Sequence, residues 1–374
     1  MPDLHSADGF WRELNARVRD HAHGRGTSPR DEMLQWVLQR TMVRLFGAYP
    51  DDWTIKGGQT LLARWPEARA TSDVDVVTTR PTPVATMIEH YNSALDQDFG
   101  DHLRFTPVEV DDGIMGTGTA ARITHSARLG DRPLMEIQTD IVPPDDRPEW
   151  RGKEMVRFPE HILASGVAGE NPDLRMISPY DTLAHKVSGM FIKTWRGEAP
   201  VRVQDLVDTL FLSERLPLDG PEAHAVLREE FAYQRTLNDR LIVSDRFEVP
   251  NPAWHEGFAR YAASTPGLGY SALDEAVPAA RAFLDPLLAD EAPQADWDPQ
   301  RRAWIPRGEA EQKGARAIAV RGDFSTLDNP VPGLPGPKPA SEAGPRSPGP
   351  GRRPHQDSAA RPDPGYPRRP RSGR

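Results

Sequence analysis

One short segment, Asp-Val-Asp-Val-Val at residues 73–77, restricts the possible folds of this chain more than any other part of its sequence. Acidic and apolar residues alternate in it, and a β-strand places every second side chain on the same face. The alternation therefore predicts a strand with one buried face and with Asp73 and Asp75 together on the other. Two such carboxylates suit a divalent cation that prefers oxygen ligands. On its own, the pair is more typical of an acidic solvent face, so the surrounding sequence has to decide.

The sequence around this strand supplies the other parts of a phosphate-binding site. Trp53–Ile55 is predicted as a short strand that ends in Lys56-Gly57-Gly58, where a helix can begin. Glycine has no Cβ, so the N–H groups of such a turn can approach phosphate oxygens. Residues 121–129 and 134–142 are predicted as a hairpin, with Asp140 as a third carboxylate on its second strand. Three acids beside a glycine turn indicate a two-metal site for phosphoryl transfer.

Helical periodicity dominates the second half of the sequence, from Asp181 to about Leu288. The segment Ser178-Pro179-Tyr180-Asp181 is typical of a capped helix start with proline in the first turn. Lys186 follows on this helix at the border of an apolar stripe, so its stem can be buried while its ammonium reaches a phosphate. By itself, a lysine at such a position is more often exposed on the helix surface.

Two spacings in the helical half concern further charged residues. Asp205 and Asp208 lie three residues apart, so both can face one edge of a groove, or both can stabilise a helix N-terminus through its dipole. Lys193 follows Lys186 by seven residues, which in a continuous helix brings the two to nearly the same face. Lys193, Arg196 and Arg202 are therefore candidates for an RNA path, and each is equally typical of a solvated surface.

The composition changes near Pro330 and indicates how the chain is organised. Residues 331–374 contain twelve Pro and seven Gly, and nine Lys or Arg against three Asp or Glu. Such a segment buries too little apolar surface to offset the entropy of ordering it, so we expect a disordered basic tail. We predict an α+β fold: a domain with N-terminal helices and a mixed sheet in residues 1–165, a helical domain in residues 166–308, and a mostly disordered tail in residues 309–374.

Composition also excludes several classes of protein. Cysteine is absent, which excludes disulfide partners, thiolate zinc sites and cysteine nucleophiles, and fits a reducing compartment. No run of about 18 apolar residues is present, so we expect no membrane span. The first thirty residues carry charges where a secretory signal would be apolar, and we expect a cytoplasmic protein. The net charge of −9 argues against a general nucleic-acid coat but allows a local basic groove.

Four motifs in this order resemble one family. The first is Lys56-Gly57-Gly58 together with Leu61, Arg69, Thr71, Asp73 and Asp75. It is similar to the signature of the polymerase-β-like nucleotidyltransferases, and most similar to that of the AbiEii toxin family, which includes the mycobacterial MenT toxins. The segment from Tyr180 to Lys186 resembles the lysine motif of that family, and the segment from Arg202 to Asp208 resembles its acid-rich helix start. Gln204 stands where that family usually has a basic residue.

The resemblance implies a metal-dependent nucleotidyltransferase toxin of a toxin–antitoxin system. Its domain of residues 1–165 would be the polymerase-β-like nucleotidyltransferase domain. The enzyme would transfer nucleotides from an NTP to RNA, which in studied relatives is the 3′ acceptor end of tRNA, and so inhibit translation. Its partners would be tRNA and a cognate antitoxin protein.

The same resemblance implies roles for individual residues. Asp73, Asp75 and Asp140 would ligate Mg²⁺ or Mn²⁺, and Lys186 and Asp205 would complete the catalytic set. Nucleotide binding would involve Lys56, Gly57, Gly58, Arg69, Thr71 and Lys186. For Thr71, an ordinary position at a strand edge is the commoner interpretation.

Two other classes of function remain open. A nucleotidyltransferase that modifies a small molecule, such as an aminoglycoside, uses the same glycine turn and acid pair, and the acidic body suits a cationic acceptor. A binding protein without catalytic activity is the third class. The intact acids and Lys186 argue against it, because a degenerate site has no reason to keep them.

Overall fold

The computed structural model of the chain describes residues 4–112, 120–144, 154–157, 172–194, 196–237 and 239–307. The described residues belong to one compact unit, and residues 308–374 lie outside them. The predicted tail of residues 309–374 also lies outside them. The division of the body between residues 165 and 166 stays a prediction.

Two helices precede the sheet, α1 (Ala7–Arg25) and α2 (Pro29–Ala48). The hydroxyl of Ser28 caps α2 by accepting the N–H of Asp31 at 3.1 Å, and Pro29 occupies its first turn. Helix α2 is buried along most of its length, including Arg44, whose guanidinium donates to both carboxylate oxygens of Asp101 at 2.7 and 2.9 Å. This pairing satisfies a charge that burial alone would make unfavourable.

The sheet confirms the predicted mixed topology. Its strands run in the order β3-β4-β5-β2-β1-β7-β6. The strands are β1 (Trp53–Lys56), β2 (Asp73–Thr78), β3 (Leu103–Asp111), β4 (Ala121–Leu129), β5 (Arg132–Val142), β6 (Glu154–Arg157) and β7 (Asp173–Met176). Strand β2 is antiparallel to β1 and parallel to β5, and β1 is parallel to β7. Helix α3 (Gln59–Arg64) follows the glycine turn, and α4 (Val84–Leu95) follows β2.

The second half is helical, as predicted, with a small sheet that the sequence did not indicate. Its helices are α5 (Pro179–Met190), α6 (Val203–Ser213), α7 (Gly220–Leu237), α8 (Trp254–Ala263) and α9 (Leu273–Leu288). The small sheet joins β8 (Leu218–Asp219), β9 (Ala295–Asp298) and β10 (Ala303–Pro306) in the order β10-β9-β8. Trp297 on β9 donates its indole N–H to the carbonyl of Ser213 at the end of α6, at 2.6 Å, so this sheet closes the helical core.

Helix α5 ends earlier than the spacing of its lysines suggested. Met190 is its last residue, and the chain then turns so that Ile192 pairs with Leu241. The backbone N–H of Lys193 donates to the carbonyl of Arg240 at 3.0 Å, outside any helix. The prediction that Lys193 lies on the same helix face as Lys186 is therefore wrong, because pairing with a later segment replaces the next helical turn.

Two hydrophobic clusters support this architecture. One packs the sheet against α1, α2 and α4, and the other packs α3 with helices α5 to α9 and Trp297. Among the described residues, no helix is long and apolar enough to cross a membrane. Val74 and Val76 of the strand that carries the acid pair belong to the first cluster, which anchors the buried face of this strand.

Candidate active site

The register of the sheet brings the three predicted acids to adjacent positions. Asp75 on β2 lies directly opposite Asp140 on the parallel strand β5. On its other side, Asp75 lies opposite Lys56 on the antiparallel strand β1. Asp73 precedes Asp75 by two residues and shares its strand face. Three carboxylates and one lysine thus gather at the end of β1, beside the glycine turn.

The glycine turn packs directly against the acid strand. Gly57 has a φ of +69°, and a Cβ there would collide with the carboxylate of Asp75. A Cβ on Gly58 would lie 2.8 Å from the hydroxyl oxygen of Thr71, which is closer than such contacts normally are. The hydroxyl of Thr71 donates to Oδ1 of Asp73 at 2.9 Å. Only glycine at both positions lets the turn pack this closely against Asp75 and Thr71.

Asp75 stands in an environment that disfavours its negative charge. Burial raises the pKa of this carboxyl; the positive charge of Lys56 opposes the shift, and the negative charges of Asp73 and Asp140 add to it. Burial and the two neighbouring acids together outweigh the nearby cations, so the negative charge of Asp75 is unfavourable in the metal-free protein. A divalent cation is the natural counter-charge for such a set.

Asp140 already has a partner in the structure. Arg122 on β4 lies directly opposite it and donates from Nε and Nη2 to its two carboxylate oxygens, each at 2.7 Å. Within the ranges that the structure describes, no three acidic or histidine side chains converge in a metal-holding arrangement. The residue types fit a divalent cation, since carboxylates offer hard oxygen ligands, and in this structure Asp140 is paired with Arg122.

A second charged cluster surrounds Lys186. Its ammonium nitrogen lies 2.8 Å from Oδ2 of Asp208 and 3.3 Å from Oδ1 of Asp205. Lys186 and both aspartates are buried, so Lys186 is not an exposed helix lysine, and the two acids do not form a solvated helix start. Burial opposes a charged ammonium, but the charges of Asp208 and Asp205 outweigh it and raise the pKa of Lys186. The lysine is a cation over the physiological pH range.

Two arginines hold the carboxylates of this cluster. Arg69 donates from Nε and Nη2 to the two oxygens of Asp208, each at 2.7 Å, and Arg202 donates from Nε to Asp205 at 2.5 Å. Burial would raise the pKa of Asp208, but Arg69 and Lys186 outweigh it and lower that pKa below its usual range. Three cations against two carboxylates leave a net positive charge in the cluster.

The two clusters interact electrostatically. The positive charge of Lys186 opposes the rise in the pKa of Asp75, and the negative charge of Asp75 adds to the rise in the pKa of Arg202 that Asp205 mainly causes. A site with carboxylates on one side and net positive charge on the other suits a triphosphate bound through a metal ion. This arrangement is typical of enzymes that transfer phosphoryl or nucleotidyl groups.

Comparison with known proteins agrees with this geometry. The profile of the family described as "Nucleotidyl transferase AbiEii toxin, Type IV TA system" matches residues 40–307. The chain belongs to the AbiEii family. It is therefore a nucleotidyltransferase toxin of a type IV toxin–antitoxin system, which implies an antitoxin partner. Nucleotidyltransferases of this family generally use an NTP and a divalent metal ion.

One solved structure agrees on the fold. The chain is similar to MenT4, a nucleotidyltransferase toxin from Mycobacterium tuberculosis H37Rv, with 17% identity and a TM-score of 0.52 over 81% of this chain and 99% of that one. JHP933 from Helicobacter pylori also matches, with 13% identity and a TM-score of 0.35 over 57% of this chain and 84% of that one. No curated protein sequence matches.

Within this AbiEii fold, the three residues predicted for RNA binding differ in their exposure and in their partners. Lys193 is half-buried and Arg196 is exposed, both in the segment between α5 and α6. The Arg202 side chain is 53% exposed but engages Asp205. Arg69, which was predicted to contact the nucleotide, is likewise engaged, because two of its N–H groups donate to the carboxylate of Asp208.

Two functional features of this AbiEii protein were not predicted from the sequence. One is Arg122 as the partner of Asp140, and the other is the pairing of Arg69 with Asp208 across 139 residues of sequence. Neither pair is close in sequence, so no local pattern indicates it. Only the strand register and the packing of α6 against the sheet domain bring these residues together.

Proposed function

We propose that this protein transfers nucleotides from an NTP to RNA, with the 3′ acceptor end of tRNA as the acceptor, and so inhibits translation in the cytoplasm. The register that sets Asp75 between Lys56 and Asp140 is the observation that carries the proposal. It puts the acids of the first family motif beside the glycine turn and opposite the Lys186 cluster. Membership in a family of nucleotidyltransferase toxins supports the same reaction.

Asp73 and Asp75, joined by Asp140, are the residues that would hold Mg²⁺ or Mn²⁺. When bound, such an ion withdraws charge from phosphate oxygens and activates an attacking hydroxyl. The glycine turn contributes backbone N–H groups for the phosphates. Lys56 adds a positive charge beside Asp75.

Lys186 stabilises the charge that develops on the leaving pyrophosphate. Its ammonium is fixed between Asp205 and Asp208, so it needs no reorientation during the reaction. Asp205 acts through this lysine, and Arg69 and Arg202 act through the carboxylates that hold it. The net positive charge of the cluster remains after both aspartates are counted.

An RNA acceptor is supported by the toxin family and by two cations in the segment after α5, the half-buried Lys193 and the exposed Arg196. Lys193 and Arg196 lie shortly after the helix that carries Lys186, and a polyanion can contact both. A small cationic acceptor has no use for them. The alternative of an aminoglycoside-like acceptor therefore predicts that these two residues are neutral to activity.

A labelling experiment tests the proposal. Purified protein is incubated with each labelled NTP, Mg²⁺ and total RNA, beside the variant Asp75→Asn. As a matched control, Asp173→Asn removes an exposed acid elsewhere in the same sheet. We expect label on tRNA with the wild type and the control and none with Asp75→Asn. Label on an aminoglycoside but on no RNA would establish the alternative, and full activity of Asp75→Asn would remove the metal assignment.

A further inference from the structure

Asp140 lies between a residue of like charge and a residue of opposite charge. On one side the parallel register places it next to Asp75, and on the other the antiparallel register places it next to Arg122. The guanidinium of Arg122 bonds both oxygens of Asp140 at 2.7 Å. A bidentate arginine pair of this kind occupies the lone pairs with which a carboxylate would bind a metal ion.

Arg122 faces a set of carboxylates rather than a single one. Asp140, its partner, lies directly opposite Asp75, and Asp75 shares its strand face with Asp73. The guanidinium therefore neutralises part of a charge that is otherwise concentrated on three adjacent carboxylates. It supplies positive charge at the place where a bound cation would supply it.

The pair can open without disturbing the fold. The side chain of Arg122 is 46% exposed, so it can turn into solvent without leaving a cavity. Exposed ion pairs contribute little to stability because water competes for both partners. This contrasts with Arg44 and Asp101, which are completely buried and hold α2 in place.

We propose that Arg122 is a resident counter-ion of Asp140, which a divalent cation must displace before the third carboxylate becomes a ligand. This inference rests on the proposed function, because it takes Asp140 as a metal ligand. Arg122 is a positioning residue: it holds the Asp140 carboxylate in place in the free protein and weakens metal binding there. Removing it should therefore strengthen the binding of the metal alone.

Mn²⁺ binding to the full-length protein without nucleotide tests this, by calorimetry or by the electron paramagnetic resonance of free Mn²⁺. Arg122→Gln removes the charge and the bidentate pair, and Arg122→Lys keeps the charge without the fork. Arg157→Gln is the matched control, since Arg157 also faces an aspartate, Asp173, across an antiparallel pair, at 3.2 Å. Asp75→Asn reports whether the ion binds at the proposed site.

We expect Arg122→Gln to bind Mn²⁺ about fivefold more tightly than the wild type, which corresponds to about 1 kcal/mol. Arg122→Lys should show a smaller gain, and Arg157→Gln none. A gain in affinity does not arise from misfolding, and Arg122→Lys carries the test alone if Arg122→Gln does not fold.

The outcomes separate the two proposals. If Asp75→Asn weakens Mn²⁺ binding but both Arg122 variants bind as the wild type does or more weakly, the counter-ion role is wrong and the metal site stands. If Asp75→Asn changes nothing in any background, the metal site itself is wrong, and the role of Arg122 is wrong with it.

Discussion

Two isosteric substitutions in the active site should change stability in opposite directions. Asp75→Asn and Asp208→Asn both replace a carboxylate by an amide of the same shape. The surroundings of Asp75 disfavour its charge, whereas Arg69 and Lys186 favour the charge of Asp208. We expect metal-free protein to be unchanged or stabilised by Asp75→Asn and clearly destabilised by Asp208→Asn.

The magnitudes follow from the contacts. Asp208 is buried and accepts two hydrogen bonds from Arg69 and one ion-pair contact from Lys186, at 2.7, 2.7 and 2.8 Å. Breaking a buried ion pair by removing one partner costs about 3 to 5 kcal/mol. The amide oxygen of Asn still accepts one bond, and Lys186 keeps Asp205, so we expect about 3 kcal/mol. For Asp75, relief of repulsion from the carboxylate opposite it contributes up to about 1 kcal/mol.

Thermal unfolding in a chelator at pH 7 measures both effects. A loss of about 3 kcal/mol corresponds to a fall in Tm of roughly 5 °C for a body of about 300 residues. Asp208 has a lowered pKa in the folded state, so its stabilisation is present above the unfolded pKa of about 3.9 and is lost as pH falls through the folded value. Asp75 has a raised pKa, so its negative charge is unfavourable at neutral pH, and this cost disappears when the carboxyl is protonated in acid. Both differences from the wild type should shrink towards pH 3.

Equal Tm losses for the two variants would refute this reasoning, because they would mean that the fold needs both charges alike. A stable Asp208→Asn protein would show that Arg69 and Lys186 find other partners in the folded state. Circular dichroism before heating separates either result from a change of fold.

Two further predictions concern the glycine turn and the acceptor path. Gly57→Ala should abolish nucleotide transfer because its Cβ would displace the Asp75 carboxylate. The control Gly197→Ala, at a φ of +76° with open space around its Cβ, should lose about 1 kcal/mol of stability and no activity. Equal activity in the two variants would show that the turn tolerates the shift. Replacing Lys193 and Arg196 together by alanine should weaken RNA modification and its salt dependence, measured as turnover against salt concentration; tRNA labelling equal to the wild type at every salt concentration would exclude this segment from the RNA path.

The strand that carries the acid pair was predictable because its pattern is local. Alternation at period two indicated both its buried face and the position of Asp73 and Asp75, and the structure has a strand over Asp73–Thr78. The mixed sheet and the helical second half are confirmed in the same way. The first helix shows a comparable signal, with Phe10, Leu14, Val18 and Ala22 buried at intervals of four residues, but the sequence prediction gave no bounds for it.

The contacts of the site could not be predicted, because they depend on register and on distant packing. A hairpin closed by the Gly130-Asp131 turn would place Arg122 opposite Thr139. The register shifts by one residue between Ala127 and Arg128, and this bulge moves Arg122 to Asp140. The structure gives the positions of the individual site residues. Their chemical roles stay predictions, which the variants above test.

The small sheet at the end of the described body has a consequence for the timing of toxicity during synthesis. Trp297 on β9 bonds the end of α6, the helix that carries both partners of Lys186, and stacks edge to face with Phe283 at 4.8 Å. A nascent chain that has not yet produced residues 295–306 lacks this closure, so its helical core exposes apolar surface and α6 is not held in place. We therefore expect the chain to acquire nucleotidyltransferase activity only after residues 295–306 have left the ribosome.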